Sequence, residues 1–294
     1  MLDLTDIQIR DPFVLPVPSE ECYYLFGSTD ANIWRGPATG FDTYRSQDLE
    51  DWEGPLPAFR PGPDFWSDTQ YWAPEVHVYG GSYYMFATFT AEGRCRGTQV
   101  LRAEEPAGPY RPWSAGPLTP RHWECLDGTL HVEAGEAWMV FCHEWKDVGD
   151  GEIWAVPLAD DLRTTAGEPV LLFAATAAPW VRPLPTETAK SDRPAYVTDG
   201  PFLHRTADGR LLLLWSSMAE DGYALGVATS RTGTVLGPWH QAEQPLWPRD
   251  GGHGMVFHGP EGRLYLTLHH PNRTPQERAR FIEVVENGEG LVIR

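Results

Sequence analysis

The sequence predicts an all-β fold, a five-bladed β-propeller that forms one domain over residues 1–294. Three observations support this prediction. Long helical periodicity is scarce, and short strands of aromatic and aliphatic residues recur instead. The 29 glycines and 27 prolines are spread along the chain, which is typical of many turns. The strands also fall into five similar units, and such a repeat indicates a propeller rather than a sandwich.

Each unit contains an apolar strand that follows a polar turn. These strands cover residues 23–27, 83–87, 137–141, 211–215 and 264–268. One strand earlier, each unit carries a polar residue, namely Asp11, Glu75, Asp127, Asp199 and His253, at separations of 64, 52, 72 and 54 residues. The first strand of a propeller blade lines the central channel, so we expect these five side chains to converge on one axis. We also expect the first and last blades to pack together.

The charge of the chain excludes several classes of partner. Asp and Glu number 41 against 23 Lys and Arg, a formal net charge of −18. Nucleic acids and anionic membranes are therefore not expected partners, because both bind basic surfaces. No apolar run is long enough for a membrane helix. Residues 1–12 lack the basic and apolar regions of a signal peptide, so we expect a cytoplasmic protein.

Three of the polar residues, Asp11, Asp127 and Asp199, are carboxylates that would face one another. Carboxylates around one pocket are the usual groups that cleave a glycosidic bond. One remains ionised and activates water, whereas the mutual repulsion of confined charges keeps another protonated. Each aspartate alone is also consistent with a simple turn, since Asp-Gly and Asp-Pro pairs are common there. The position of all three at the start of inner strands favours the catalytic interpretation.

Five short motifs extend this pattern. They are Arg10-Asp11-Pro12-Phe13, Trp72-Ala73-Pro74-Glu75-Val76, Leu126-Asp127-Gly128, Thr198-Asp199-Gly200-Pro201-Phe202 and Gly252-His253-Gly254-Met255. In this order and spacing the chain resembles glycoside hydrolase family 43, the five-bladed propellers of the arabinanase, α-L-arabinofuranosidase and β-xylosidase group. The resemblance runs from Ile9 to about Pro271. It implies inverting hydrolysis of glycosides of arabinose, xylose or related sugars.

The resemblance also implies residue roles. Asp11 matches the general base, and Asp127 matches the aspartate that modulates the pKa of the acid. Asp199 stands where most members have a glutamate in Glu-Gly-Pro, so this chain represents a subgroup with Asp-Gly-Pro. The shorter side chain sets its carboxyl about 1.5 Å back, and a misplacement of that size can cost about a hundredfold in rate. Three explanations remain: Asp199 is the acid, Glu144 replaces it, or the protein binds sugar with little or no catalysis.

Several further residues are candidates for the channel. Five aromatic residues are expected at or near the mouth ends of inner strands, as sugar platforms or as core packing: Trp34, Trp72, Phe89, Trp145 and Trp215. Glu75 matches a family position associated with binding or structure. His253 matches a channel histidine that often contacts a calcium ion or water, with a satisfied core histidine as the alternative. We expect no required cofactor, and a structural calcium ion on the axis is the one metal under consideration.

The sequence-based hypothesis is an inverting glycosidase acting on terminal α-L-arabinofuranosyl or β-xylosyl residues of plant-type oligosaccharides. The alternatives are a non-catalytic or weakly active carbohydrate-binding propeller, a glycosidase of another sugar such as galactofuranose, and a retaining or phosphorolytic enzyme. The sequence leaves open the sugar, its linkage, and whether terminal or internal bonds are cleaved.

Overall fold

The protein is a five-bladed β-propeller, with each blade an antiparallel sheet. The computed structural model describes residues 1–190, 192–288 and 290–294. The first blade contains β2 (Arg10–Val17), β3 (Cys22–Ser28), β4 (Phe41–Ser46) and β5 (Asp51–Phe59), with β1 (Leu2–Asp3) paired to the outer strand β5. The second contains β6 (Thr69–Tyr79), β7 (Ser82–Ala91), β8 (Arg94–Ala103) and β9 (Arg111–Pro112).

The other three blades follow the same order from the axis outward. The third contains β10 (Cys125–Glu133), β11 (Glu136–His143), β12 (Glu152–Pro157) and β13 (Val170–Ala174). The fourth contains β14 (Asp199–Arg205), β15 (Leu211–Ala219), β16 (Gly222–Ser230) and β17 (Trp239–Gln241). The fifth contains β18 (Gly252–His258), β19 (Leu264–His270), β20 (Arg278–Asn287) and β21 (Gly290–Ile293). Each of the five apolar strands predicted from sequence falls in the second strand of a blade.

Among the described residues, two α-helices of one turn each occur outside the blades. They are α1 (Trp145–Val148) and α2 (Thr186–Ala189). No helix in the described ranges is long and apolar enough to cross a membrane.

The inner strands β2, β6, β10, β14 and β18 contact one another in a ring. Buried apolar side chains fill the space between neighbouring blades, because both faces of each sheet are covered. The first and last blades pack together, as the sequence predicts, and the Ile9 amide donates to the Glu277 carbonyl at 3.2 Å. No strand is shared across this junction within the described residues, so side-by-side packing closes the ring.

Every inner strand contains a β-bulge near its start. One bulge in each inner strand has an equivalent residue with a positive φ: Asp11 (55°), Ala73 (46°), Asp127 (56°), Gly200 (51°) and His253 (49°). Strand β6 contains a second irregularity, at Gln70 (53°). A bulge redirects the side chain that it carries, and bulges occur often beside active sites. The equivalent residues of blades two and four are therefore Ala73 and Gly200. Glu75 lies two residues after its bulge, and Asp199 lies one residue before its own.

Candidate active site

A cavity of about 550 Å³ lies where the inner strands begin, and residues from all five blades line it. Asp11, Asp127, Asp199 and His253 are among the lining residues, as the sequence predicts, and Glu144 joins them. The bulges bring Asp11, Asp127 and His253 together because all three side chains leave their strands at equivalent positions. The volume falls within the usual range for small-molecule sites.

Asp11 is held as a carboxylate by its neighbours. Ser28 Oγ donates to its Oδ2 at 2.9 Å, and His253 Nδ1 lies 3.2 Å from its Oδ1. Arg10 Nε lies 3.5 Å from the same oxygen. Burial alone would raise the pKa of Asp11, but the positive charges of His253 and Arg10 outweigh that effect and hold the pKa well below its usual range. The side chain therefore suits a base that is ionised at any working pH.

Asp127 and Asp199, in contrast to Asp11, have raised pKa values. Burial raises the pKa of Asp127 to about 8, aided by the nearby charges of Asp199 and Asp11 and opposed by His253. Burial likewise raises the pKa of Asp199 to about 6. The Gly200 amide donates to Asp127 Oδ2 at 3.0 Å and joins the two carboxyl groups through the backbone. Because they interact, the two groups titrate as a pair, and one proton between them persists near neutral pH.

Tyr223 fixes the orientation of Asp199. Its hydroxyl donates to Asp199 Oδ2 at 2.9 Å, which leaves Oδ1 as the oxygen available to carry a proton. The Tyr223 ring is buried and stacks on His269, with ring centroids 5.6 Å apart. The His269 Nδ1 in turn accepts a hydrogen bond from the Asp11 amide at 3.3 Å. One chain of contacts thus connects the carboxylates Asp199 and Asp11.

His253 carries the central positive charge. The three aspartates raise its pKa to about 10 against the effect of burial, which alone would lower it. Its amide donates to Ser216 Oγ at 2.7 Å. Its ring fits against Gly200, where an added Cβ would lie 2.6 Å from the imidazole carbons. Gly200 is therefore required both for its positive φ and for the space that His253 occupies.

The residues present do not form a calcium cage around His253. Its buried Nε2 has no hydrogen-bond partner in the described chain, whereas Nδ1 faces Asp11. Calcium takes six to eight oxygen ligands, and a single imidazole nitrogen is a poor substitute. No group of three or more His, Cys, Asp or Glu side chains within the described ranges is arranged to hold a metal ion. The axial calcium stays a sequence-based expectation, and no catalytic step is assigned to it.

Glu144 lines the cavity but is paired with two cations. Arg96 Nη1 donates to its Oε2 at 3.0 Å, and Lys146 Nζ lies 3.1 Å from the same oxygen. The Arg96 guanidinium also lies over the Trp72 ring, 4.0 Å from its centroid. Charge-assisted bonds from two donors stabilise the ionised carboxylate. Glu144 is thus arranged to accept hydrogen bonds rather than to deliver a proton.

The aromatic predictions divide into two groups. Trp34, Trp72 and Trp145 line the cavity, and the exposed Trp34 donates through Nε1 to Thr274 Oγ1 of the fifth blade at 2.9 Å. The prediction that Phe89 and Trp215 lie at the mouth is wrong, because both are fully buried between blades. They lie on the second strands β7 and β15, whose two faces are both covered by neighbouring sheets.

Glu75 does not line the cavity either. It is buried, accepts a hydrogen bond from Thr129 Oγ1 at 2.5 Å and lies 3.2 Å from His77 Nε2. The hydrogen bond with Thr129 joins the inner strands of blades two and three. Of the two roles that the family position suggests, the structure supports the structural one.

Sequence reasoning missed several groups that complete the site. Arg10 appeared in a motif without a role, and Tyr223, His269 and Asn272 were not singled out as site residues. Asn272 Oδ1 accepts from Arg10 Nη1 at 2.5 Å and lies 3.2 Å from His269 Nε2. The position of Arg10 beside the predicted base was an available signal. Tyr223 and Asn272 carried none, because Tyr223 meets Asp199 only when the strands of blade four pair, and Asn272 meets Arg10 only when the ring closes.

Comparison with known proteins gives a consistent result. The family model "Glycosyl hydrolases family 43" matches residues 5–290. An endo-arabinase structure from Bacteroides thetaiotaomicron VPI-5482 is 40% identical, with a TM-score of 0.90 and 98% of each chain covered. An α-L-arabinofuranosidase structure from Lactobacillus brevis, 20% identical with a TM-score of 0.78, covers 97% of this chain and 93% of its own and shares the fold.

A curated relative matches over a shorter range. "Alpha-L-arabinofuranosidase 43" of Humicola insolens is 23% identical over 248 residues, which is 75% of this chain. The matched region is 49% of that relative, so the chain spans about half of its length.

Proposed function

Because the chain belongs to glycosyl hydrolase family 43 and is a glycosidase, we propose that it hydrolyses α-L-arabinofuranosyl linkages with inversion of configuration. The observation that carries this proposal is the contrast within one cavity between Asp11, held ionised, and the coupled pair Asp127 and Asp199, whose raised pKa values keep one proton on the pair near neutral pH. Pairs of carboxyl groups with separated pKa values are the acid and base of glycoside cleavage.

The proposed reaction assigns each proton transfer to a side chain. Asp11 accepts a proton from a water molecule, whose oxygen forms a bond to the anomeric carbon. The bond from that carbon to the leaving oxygen breaks as Asp199 donates its proton to that oxygen. Asp127 shares one proton with Asp199 and carries the negative charge of the pair while that proton lies on Asp199. The imidazolium of His253 keeps Asp11 ionised before the transfer, and the negative charge passes from Asp11 to Asp199 during the reaction. One water is consumed, and both carboxyl groups exchange a proton with solvent before the next cycle.

Arabinose is proposed because of the relatives. The 40% identical structure is named an endo-arabinase, and the curated relative is named an arabinofuranosidase. Terminal residues are the proposed substrate because side chains from all five blades surround the cavity, and the contact between Trp34 and Thr274 spans blades one and five at its rim. Internal cleavage is the second candidate, and the name of the 40% identical relative favours it.

The test is hydrolysis of arabinofuranosides, with xylosides and galactofuranosides for comparison and Asp11→Asn as the blank. We expect turnover of arabinofuranosides, loss of that turnover in the blank, and an inverted anomer at first appearance in NMR spectra. Retention of configuration would contradict the mechanism, and turnover confined to another sugar would contradict the substrate. Failure to cleave any glycoside would favour a binding protein.

Digestion of linear arabinan distinguishes terminal cleavage from internal cleavage. Terminal action releases arabinose alone at early times with little change in viscosity. Internal action releases oligosaccharides and lowers the viscosity at once.

A further inference from the structure

A second cavity of about 850 Å³ lies on the flank of the propeller, between blades two and three. Four arginines line it, Arg94, Arg96, Arg121 and Arg163, together with His122 and the indole of Trp66. We refer to the cavity lined by these six residues as the basic groove. A third cavity of about 690 Å³ also contacts Trp66 and Ala115, so the groove continues toward blade one.

The charge of the basic groove opposes that of the whole protein. Glu168 is the one acidic residue among the described residues that line it, although acidic residues outnumber basic ones 41 to 23 in the chain. Arg94, Arg121 and Arg163 are exposed and form no ion pair with a carboxylate in the described ranges. By contrast, many other arginines of the protein are paired, including Arg60 and Arg210. A local excess of unpaired guanidinium groups attracts anions in spite of the overall repulsion.

Two tryptophans hold two of the three exposed arginines in place. The Arg94 guanidinium lies over the Trp66 ring at 5.6 Å, and that of Arg163 lies over the Trp113 ring at 4.6 Å. Trp66 is itself fixed, since its Nε1 donates to Gln99 Oε1 at 2.6 Å. Stacking limits the side-chain entropy that binding would otherwise remove. The groove therefore presents oriented planar donors beside a flat aromatic surface.

The basic groove adjoins the catalytic cavity through one side chain. Arg96 lines the groove, while its guanidinium bonds Glu144 at 3.0 Å and covers the Trp72 ring, and both of these residues line the catalytic cavity. The buried Arg96 side chain thus lies between the two cavities and contacts residues of both.

From these contacts we infer that the basic groove binds a glycan that carries carboxylate groups, as uronic acid residues do. Arginine forms bidentate hydrogen bonds with carboxylates, and pyranose rings pack on indole faces. This inference rests on the proposed function only in treating the bound chain as a continuation of the substrate. The binding itself requires no turnover and is measured separately.

The experiment is calorimetric titration with tetragalacturonate, and its fully methyl-esterified form, which has the same backbone without the charges, is the matched neutral ligand. We expect the uronate to bind, its affinity to fall as NaCl rises, and the neutral ligand to bind far more weakly. The double variant Arg94→Ser/Arg163→Ser should lose about tenfold in affinity, because two charge-assisted contacts are removed. The control Arg231→Ser/Arg280→Ser removes the same charge from exposed positions that do not line the groove and should bind as the original protein does.

Three results would overturn the inference: no uronate binding, equal binding of the neutral ligand, or an equal loss in the control variant. A short DNA duplex that bound as well as the uronate would also overturn it, since the groove would then be a general anion site. Arabinofuranoside hydrolysis should be unchanged in both double variants, because neither removes a residue that lines the catalytic cavity. Loss of the proposed activity with intact uronate binding would leave this inference standing.

Discussion

Replacement of Tyr223 by phenylalanine tests the assignment of Asp199 as the acid. The substitution removes the hydroxyl that donates to Asp199 Oδ2 at 2.9 Å and retains the ring that stacks on His269. A hydrogen bond to a charged group contributes about 1.5–3 kcal/mol, and about 1.4 kcal/mol corresponds to a change of one in pKa. Its loss should raise the pKa of Asp199, about 6 in the native protein, by about 1–2.

The direction of the pH effect follows from the role of the acid. Asp199 acts in its protonated form, so kcat/KM falls as pH rises through the pKa of the Asp127 and Asp199 pair. A higher pKa moves this alkaline limb to higher pH by about one to two pH units. The rate on the plateau should fall severalfold, because a weaker acid transfers its proton less readily.

The assay is kcat/KM for arabinobiose from pH 4 to pH 10. A sugar leaving group is needed because a nitrophenolate departs with little protonation and would hide the effect. Tyr265→Phe, on the fifth blade and away from the cavity lining, is the matched control and should leave the profile unchanged. An unchanged alkaline limb in Tyr223→Phe would refute the reasoning. Turnover of arabinobiose that is retained in Asp199→Asn and lost in Glu144→Gln would assign the acid to Glu144.

Three further predictions concern the charged cluster. Asp11→Asn should lower kcat by about 10²–10⁴ while circular dichroism shows an intact fold, since a general base contributes that much; near-normal activity would exclude Asp11 as the base. His253→Gln removes a positive charge 3.2 Å from Asp11, so the pKa of Asp11 should rise and activity should fall below about pH 5; a flat acid limb would contradict this. His253 and Asp127 both have a higher pKa in the folded than in the unfolded protein, so both stabilise the fold at low pH. The contribution of His253 is complete below pH 6.5 and is lost as the pH rises to about 10. The contribution of Asp127 is lost between pH 3.8 and about pH 8. The melting temperature should therefore fall from pH 5 to pH 10, less steeply in Asp127→Asn, and a rise over this range would be evidence against these shifts.

The fold was predictable because hairpin repeats leave a periodic trace in the sequence. The residue-by-residue alignment of the five units was harder to predict from the sequence. A β-bulge adds one residue to a strand, and the side chains after it alternate in the opposite sense. Equating Asp199 and Glu75 with Asp11 therefore matched residues on different sides of their bulges. Asp199 still reaches the cavity from one residue before its bulge, whereas Glu75 points into the contacts between blades.

The aromatic residues show a second limit. Phe89 and Trp215 are as apolar as the tryptophans that line the cavity, and only the packing of neighbouring blades separates the two groups. The side chains that contact the proposed acid and base also could not be predicted from short sequence motifs. Tyr223 and Asp199 are 24 residues apart, and their contact arises when the strands of blade four pair. His269 lies 258 residues from Asp11, and that contact arises only when the ring closes.

At the bulges of the inner strands, the residues proposed for catalysis also lower the stability of the backbone. A residue with a side chain at positive φ costs on the order of 1 kcal/mol relative to glycine, and blade four avoids that cost with Gly200. Asp11, Asp127 and His253 sit at the same position in their blades, so glycine there would relieve the backbone and remove the chemistry together. A library selected for heat resistance alone should accumulate glycine at these three positions. Thermostabilisation of this enzyme therefore requires selection for turnover in every round, or a library that leaves the bulges untouched.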